Sequence, residues 1–359
     1  MKEHQILELV ERGHLPHDQH CQLVKQTHIS WVLLCEEYAY KIKKPLKLSF
    51  LDFSTLEKRK YFCEQELVLN QRLTTDVYLE VLPISRENDI YYLGLEKGSI
   101  VDYAVAMRRL DNSREMERLL VDSSVTNQDI KNIAGQLVKF HQSTEVVKDK
   151  VTPQMLIDDF NDIQQVQPWI EAKLGTAAAK KLNESVSFVE QFIQENIHLI
   201  NQRDQEGFTR DCHGDLHSGN IFLLREPVIF DCIEFDPHLR QIDILCELAF
   251  FCMDLEFSGR QDLSDYFITI YNSRFPVIRN QAEERLFLYY KLYRANVKVK
   301  INAIKTSQAR KPHIAASRQQ LCKQYFELFL SYSQTLRRSN SSTHKGPPNL
   351  EQSKGLPIL

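Results

Sequence analysis

From about residue 27 to residue 111 the apolar positions come in short runs with a period near two, interrupted by one helical stretch. Residues 28–34 form a β-rich run, Glu37 supplies a turn, and residues 38–43 read as a second strand ended by Pro45. Residues 54–73 have a helical period, and Ser54-Thr55-Leu56-Glu57 reads as a capping box at their start. Strand-like runs follow at 78–84, 91–95 and 104–109. Beyond Asp111 the period becomes helical. Thr126-Asn127-Gln128-Asp129 caps a helix with Ile130, Ile133, Leu137 and Phe140 on one face. Residues 157–170 and 177–201 read as helices, a mixed segment spans 209–236, and helices resume at 242–255, 263–273, 282–304 and 314–336. The pattern predicts an α+β, bilobal fold. A small β-rich N-terminal lobe (1–110) precedes a larger, mainly helical lobe (111–338), and a Ser-, Pro- and Gly-rich tail (339–359) is expected to be disordered. A gap between two such lobes is a usual place for a ligand.

Composition adds mostly exclusions. With 45 Lys+Arg against 48 Asp+Glu, the formal net charge of −3 gives no electrostatic case for nucleic acid or an anionic membrane. No apolar run is long enough to span a bilayer, and Met1-Lys2-Glu3-His4 lacks the basic-then-apolar pattern of a signal peptide. The eight cysteines are scattered, none in a C-x-x-C pair, which predicts buried, reduced thiols in a cytoplasmic protein. Oligomeric state is not legible.

The densest polar stretch is Asp211-Cys212-His213-Gly214-Asp215-Leu216-His217-Ser218-Gly219-Asn220. It runs into Ile221-Phe222-Leu223-Leu224, then the turn Arg225-Glu226-Pro227, then Val228-Ile229-Phe230 and Asp231. Two short apolar strands around a three-residue turn read as a buried hairpin. A hairpin begins where it ends, so Asn220 and Asp231 are brought side by side. An amide oxygen beside a carboxylate is a hard-oxygen site suited to Mg²⁺, which takes few protein ligands plus phosphate oxygens. Asp215, on the preceding loop, is within reach to orient or deprotonate a hydroxyl nucleophile. A zinc site of His213, His217 and Cys212 is the rival, but the C-H-x-x-x-H spacing matches no usual zinc pattern.

A second constellation lies earlier. On the 38–43 strand, alternation puts Ala39, Lys41 and Lys43 on one face and Tyr38, Tyr40 and Ile42 on the other. On the helix that follows, Phe62, Glu66, Leu69 and Leu73 share one stripe, whereas Glu64 points the opposite way. A carboxylate on an apolar stripe demands a cation. Lys41 is the candidate, with Lys43 the alternative.

These residues resemble the aminoglycoside phosphotransferase family of the protein-kinase-like superfold. His213-Gly214-Asp215-Leu216-His217-Ser218-Gly219-Asn220 matches its H-G-D-L-H-x-x-N loop, Asp231 the acidic metal ligand after the hairpin, and Ala39-x-Lys41 with Glu66 the phosphate-holding pair. Tyr40-Lys41-Ile42-Lys43-Lys44-Pro45, Leu51-Asp52-Phe53-Ser54-Thr55-Leu56-Glu57-Lys58-Arg59, and Ile233-Glu234-Phe235-Asp236 with Arg240 and Asp243 resemble a bacterial subgroup described as bifunctional aminoglycoside phosphotransferase/ATP-binding proteins. That subgroup commonly carries a C-terminal P-loop domain, and no G-x-x-x-x-G-K-[ST] occurs here. It also usually has Asp where Glu247 stands, and no glycine-rich loop precedes Lys41, leaving residues 27–30 to cover the phosphates.

The resemblance implies a small-molecule kinase: ATP (or GTP) as donor, Mg²⁺ on Asn220 and Asp231, Asp215 as base, and Lys41 on the phosphates with Glu66 holding it. Adenine is expected against Ala39 and the backbone near Met107. The acceptor is expected to be a small hydroxyl compound such as an aminoglycoside, sugar or amino alcohol. Asp158, Asp159, Asp162 and Asp254 are candidates for an acceptor site, and Asp243 for a brace on the loop. A catalytically inactive nucleotide-binding regulator is the alternative, whose mark would be loss of Asp215, Asn220 or Asp231. All three are present.

Overall fold

A computed structural model describes residues 1–16, 20–48, 51–74, 76–148, 151–309 and 311–343, with side chains through Ser339. The strands β1 (Cys21–Gln26), β2 (Ser30–Cys35), β3 (Tyr38–Lys43), β6 (Tyr78–Glu87), β7 (Ile90–Leu93) and β8 (Ser99–Arg108) form one antiparallel sheet in the order β1-β2-β3-β8-β6-β7. A two-residue ladder, β4 (Lys47–Leu48) with β5 (Leu51–Asp52), precedes the helix α2 (Leu56–Gln71).

Both faces of the large sheet are covered. Trp31, Leu33, Tyr40, Ile42, Ala104 and Ala106 share one buried cluster with Ile6 and Leu9 of the helix α1 (Glu3–Arg12). Leu34, Ala39, Val105 and Met107 face the other way, with Cys63 of α2. The alternation expected on β3 therefore holds, yet the strand is buried nearly throughout. Lys41 and Lys43 are carried into the interior with it, and buried ammonium groups require carboxylates.

Helix α2 starts one residue later than the capping box predicted. Thr55 is the cap and accepts from Lys58 N at 3.3 Å, while the Ser54 hydroxyl donates to Asp52 instead. Arg59 anchors the helix, donating to Asp102 on β8 at 2.7 Å and to the Phe53 carbonyl at 3.1 Å. The next helix expected, α4 (Asn127–Ser143), has its predicted Thr126–Asp129 capping box and buries Ile130, Ile133, Leu137 and Phe140.

In chain order the remaining elements are α3 (Met116–Val121), which precedes α4, then α5 (Pro153–Asn161), α6 (Gln167–Leu174), α7 (Thr176–Gln205) and β9 (Thr209–Asp211). They continue with β10 (Ile221–Leu223), β11 (Pro227–Ile229), α8 (Pro237–Arg240), β12 (Gln241–Asp243), α9 (Ile244–Phe257), α10 (Gln261–Arg274), α11 (Gln281–Ser307) and α12 (Pro312–Thr343). The chain divides into two units. One comprises residues 1–151 and 198–278; the other comprises 152–197 and the described residues from 279 on. The first holds every strand among the described residues. The second is helical, with α11 and α12 packed on each other and Asn296 of α11 donating to the Phe160 carbonyl of α5 at 2.8 Å. The sequence places a boundary after residue 110, whereas here residues 111–151 and 198–278 group with the sheet.

Other expectations need correction. Residues 157–170 are not one helix: a 3₁₀ stretch, Asp162–Val166, separates α5 from α6, where Pro168 removes a helical donor. Ile242 lies in β12, paired with Arg210 of β9, so the helix begins at Ile244. Cys21 and Cys35 are directly opposite on β1 and β2 and are joined by a disulfide, because an unforeseen strand, β1, brings them together. The other six cysteines are free and buried, as expected. Helix α12 continues to Thr343, past the expected start of the tail, and residues 344–359 lie outside the described set.

Candidate active site

The hairpin forms where the apolar pattern put it. Strand β10 pairs with β11 in the register Ile221↔Ile229, Phe222↔Val228 and Leu223↔Pro227, and one step on Phe230 N–H donates to the Asn220 carbonyl at 3.1 Å. Ile221, Leu223 and Ile229 are buried. The turn is shifted by one residue from the expected position, to 224–226. Asp231 follows with φ of 64°, in the left-handed region that Asp tolerates better than bulkier residues, and its N–H donates to Tyr78 Oη at 3.2 Å. Asn220 Nδ2 donates to Asp215 Oδ2 at 3.1 Å and to the Asp215 carbonyl at 2.9 Å. With its nitrogen so engaged, the Asn220 amide has its oxygen to offer a cation.

The polar loop is pinned from three sides. From α9, Glu247 accepts from His213 N (2.7 Å) and Gly214 N (2.9 Å), and Asp254 accepts from Ser218 N (2.8 Å). Burial would raise the Glu247 pKa, but His141 and His213 beside it hold it below its usual value. From the C-cap of α2, Arg72 donates to Asp211 Oδ1 (2.7 Å) and to the Asp211 and Cys212 carbonyls (3.0 and 3.1 Å), while Arg240 takes the same Asp211 oxygen at 3.0 Å. From the segment after the hairpin, the Phe230 carbonyl accepts from His213 Nε2 at 2.9 Å, so Nδ1 of the neutral ring accepts from Asp215 N at 3.2 Å. Burial lowers the His213 pKa, in keeping with that neutral ring. Gly214 has φ of 88°, and a Cβ there would lie 2.9 Å from the Leu239 carbonyl oxygen, so the loop needs glycine.

The first-lobe constellation meets the loop through Asp231. Lys41 Nζ lies 2.7 Å from Glu66 Oε1, as anticipated, and 2.5 Å from Asp231 Oδ1. The alternative is also realised: Lys43 Nζ reaches Glu66 Oε2 at 2.6 Å and Glu234 as well. Burial alone would lower the Lys41 pKa, but Asp231, Glu66 and Glu234 outweigh it and hold the ammonium well above its ordinary value. Burial would raise Glu66, yet Lys41 and Lys43 bring it down to about 2. Asp231 keeps 42% of its side-chain surface exposed and Asp215 38%, so a ligand can reach both.

Ala39 pairs with Met107 across β3 and β8, and both join Leu34 and Val105 in a cluster that also packs Val32, Leu110, Val228 and Phe230. Apolar side chains from the sheet and from the hairpin thus meet beside Lys41. Residues 27–30 form a tight turn in which Thr27 Oγ1 accepts from Ser30 N at 2.9 Å. Lys44 donates to the Thr27 and His28 carbonyls of this turn.

Other candidates go elsewhere. The rings of His213 and His217 are engaged by backbone groups, His217 Nδ1 accepting from Gly219 N at 3.1 Å, so the zinc rival does not assemble. Among the described residues, the one close group of potential metal ligands is His141, Cys212 and Glu247, wholly buried. Asp254 accepts from Ser218 N on the polar loop, and Asp162 pairs with Lys300 within the helical unit. Asp243 is held by Arg203 at 2.7 Å and caps α9, bracing β12 against β9. Sequence reasoning missed Asn70, whose Oδ1 accepts from Cys232 N at 2.9 Å. It lies one turn from Glu66 on the buried stripe, and that polar position was the available signal.

No family model matches the chain. An uncharacterised protein of Mycobacterium tuberculosis is 32% identical over 302 residues, covering 82% of this chain and 57% of the relative. The chain thus spans little more than half the length of the curated relatives it matches. Among solved structures, a choline kinase from Cryptosporidium parvum aligns over 94% of this chain and 97% of that chain, with TM-score 0.58 and 11% identity. The GDP complex of aminoglycoside 2'-phosphotransferase-IIIa aligns over 86% and 93%, with TM-score 0.49 and 10% identity. The choline kinase superposition establishes the fold, α+β and protein-kinase-like, with an antiparallel N-terminal sheet and a mostly helical remainder.

Proposed function

We propose that this chain is an ATP-dependent phosphotransferase that moves the γ-phosphoryl group to a hydroxyl of a small molecule. The observation that carries the reading is the continuity of the polar contacts: Glu66 to Lys41, Lys41 to Asp231, and Asn220 to Asp215, with the Asn220 and Asp231 backbones at the mouth of one hairpin. A cationic ammonium already rests on Asp231, and the donor set is one carboxylate and one amide oxygen, which fits Mg²⁺ better than a soft metal. Asn220 and Asp231 would hold the ion, whose contribution is to neutralise charge on the β- and γ-phosphates.

The protein's own residues do the rest. Lys41, kept charged by its carboxylates, binds the nucleotide phosphates. Ala39 and Met107 offer an apolar wall to the base. Asp215 accepts the proton of the acceptor hydroxyl, its position fixed by Asn220 and by the His213 ring. Two features favour a small acceptor over a peptide. From Asp231 the chain passes through the four-residue α8 and β12 directly into α9, and no Ala-Pro-Glu follows. The fold shared with a choline kinase supports the same class.

The test is a screen of metabolite and aminoglycoside pools with γ-labelled ATP and GTP, run beside Asp215→Asn. Label transferred to a small molecule by the wild type and not by the variant is the expected result. Nucleotide binding without transfer or hydrolysis would instead favour an inactive regulator. Equal transfer by both proteins would remove Asp215 as the base.

A further inference from the structure

Strand β3 carries two buried lysines where a phosphate site needs one. Lys43 has no exposed surface, and its ammonium contacts Glu66 Oε2 (2.6 Å) and Glu234, and stands 5.0 Å from the centre of the Phe53 ring. The Glu66 carboxylate is divided evenly, Oε1 to Lys41 at 2.7 Å and Oε2 to Lys43. A rotation of that carboxylate by a quarter-turn takes both oxygens off their lysines.

The charge count sharpens the point. Lys41 and Lys43 cancel Glu66 and Glu234, all four buried, which leaves the surplus negative charge on Asp231, the member with an exposed side chain. Without Glu234 the second lysine would be an unbalanced buried cation, and without Lys43 two buried carboxylates would compete for Lys41. Glu234 also sits in the segment that carries Asp231. That segment is tied to α2 by Cys232 N–H on Asn70 Oδ1 (2.9 Å), to the polar loop by Ile233 N–H on the His213 carbonyl (3.1 Å), and to β3 by Glu234 on Lys43.

We propose that Lys43 and Glu234 are positioning residues of the nucleotide site: together they hold Glu66 and the Asp231 segment in register around Lys41, so that one ammonium faces the phosphates at a fixed place. This rests on the phosphotransferase reading and assigns the neighbouring pair a role in it. Neither residue touches nucleotide; both act through Glu66 and Asp231. The burial-raised pKa of Glu234 and the raised pKa of Lys43 accord with a pair whose charges depend on each other.

The experiment compares wild type, Lys43→Met/Glu234→Gln, Lys43→Arg and Lys41→Met. It measures Kd for methylanthraniloyl-ATP with Mg²⁺, together with KM and kcat for slow ATP hydrolysis. The double variant keeps the local charge count, so it isolates geometry. Its Kd and KM are expected to rise at least about tenfold with kcat within about threefold, and Lys43→Arg is expected to restore both constants to within about threefold of wild type. Wild-type Kd and KM in the double variant overturn the assignment, whatever happens to its melting temperature. If the double variant does not fold, Glu234→Gln alone carries the same expectation and the same refutation. Wild type and Lys41→Met separate the two levels. If the wild type neither binds nor hydrolyses ATP, the phosphotransferase reading itself fails; if Lys41→Met loses binding while the double variant does not, only the positioning role fails.

Discussion

Replacing Glu66 by Gln removes one carboxylate from contact with two buried ammonium groups. Held at about 2 rather than 4.5, Glu66 contributes about 3 kcal/mol to folding at neutral pH, at roughly 1.4 kcal/mol per pH unit. Removing one partner of a buried ion pair independently suggests about 3–5 kcal/mol, and the Gln oxygen can still accept one hydrogen bond, so about 3 kcal/mol is the expected loss. The sign with pH follows. A depressed folded pKa gives stability that is fully present above about 4.5 and is lost as pH falls toward about 2, so the variant and wild-type stabilities converge in acid. Urea unfolding can be followed through Trp31, buried on β2 and paired with Ile42 of β3, in a Trp169→Phe background that silences the other indole. A loss below about 1 kcal/mol at pH 7, or a gap that stays constant between pH 7 and pH 3, would show that the cluster does not stabilise the sheet as argued.

Asp215→Asn should lower kcat for phosphoryl transfer by about 10²–10⁴-fold while leaving KM for ATP within about threefold, as steady-state kinetics would show. Gly214→Ala forces a side chain into a backbone with φ of 88° and against the Leu239 carbonyl; a loss of about 1–3 kcal/mol in urea melts, with a larger fall in kcat than in ATP affinity, is expected. Arg72→Met removes four hydrogen bonds to Asp211, Cys212 and Cys232, three of them to the start of the polar loop, and should reduce both stability and kcat. Amide hydrogen exchange at residues 211–215 is expected to speed up in that variant, and unchanged exchange would contradict the brace.

How much of this was legible depends on how local each signal was. The hairpin was readable because strands, turn and flanking polar residues are contiguous, and the approach of the Asn220 and Asp231 backbones followed from its closure. Glu66 was readable because an acidic side chain on a helical apolar stripe has few explanations. The choice between Lys41 and Lys43 was not, since both lie on one face of β3, and Glu66 has an oxygen for each. Asn70 and Arg72 were missed because their partners, Cys232 and Asp211, lie far along the chain. Helix α1 and strand β1 escaped for another reason: their exposed faces are strongly polar and dilute the period. With β1 unseen, the Cys21–Cys35 pairing could not be anticipated.

The central claim is that Asn220 and Asp231 converge on a divalent cation that a nucleotide brings with it. Electron paramagnetic resonance of Mn²⁺, substituting for Mg²⁺, reads free and bound ion directly as ATP is added to wild type, Asn220→Ala and Asp231→Asn. The account predicts an ATP-dependent Mn²⁺ site in the wild type, weakened at least about tenfold in each variant. Equal Mn²⁺ binding by all three proteins would place the cation somewhere other than the mouth of the hairpin.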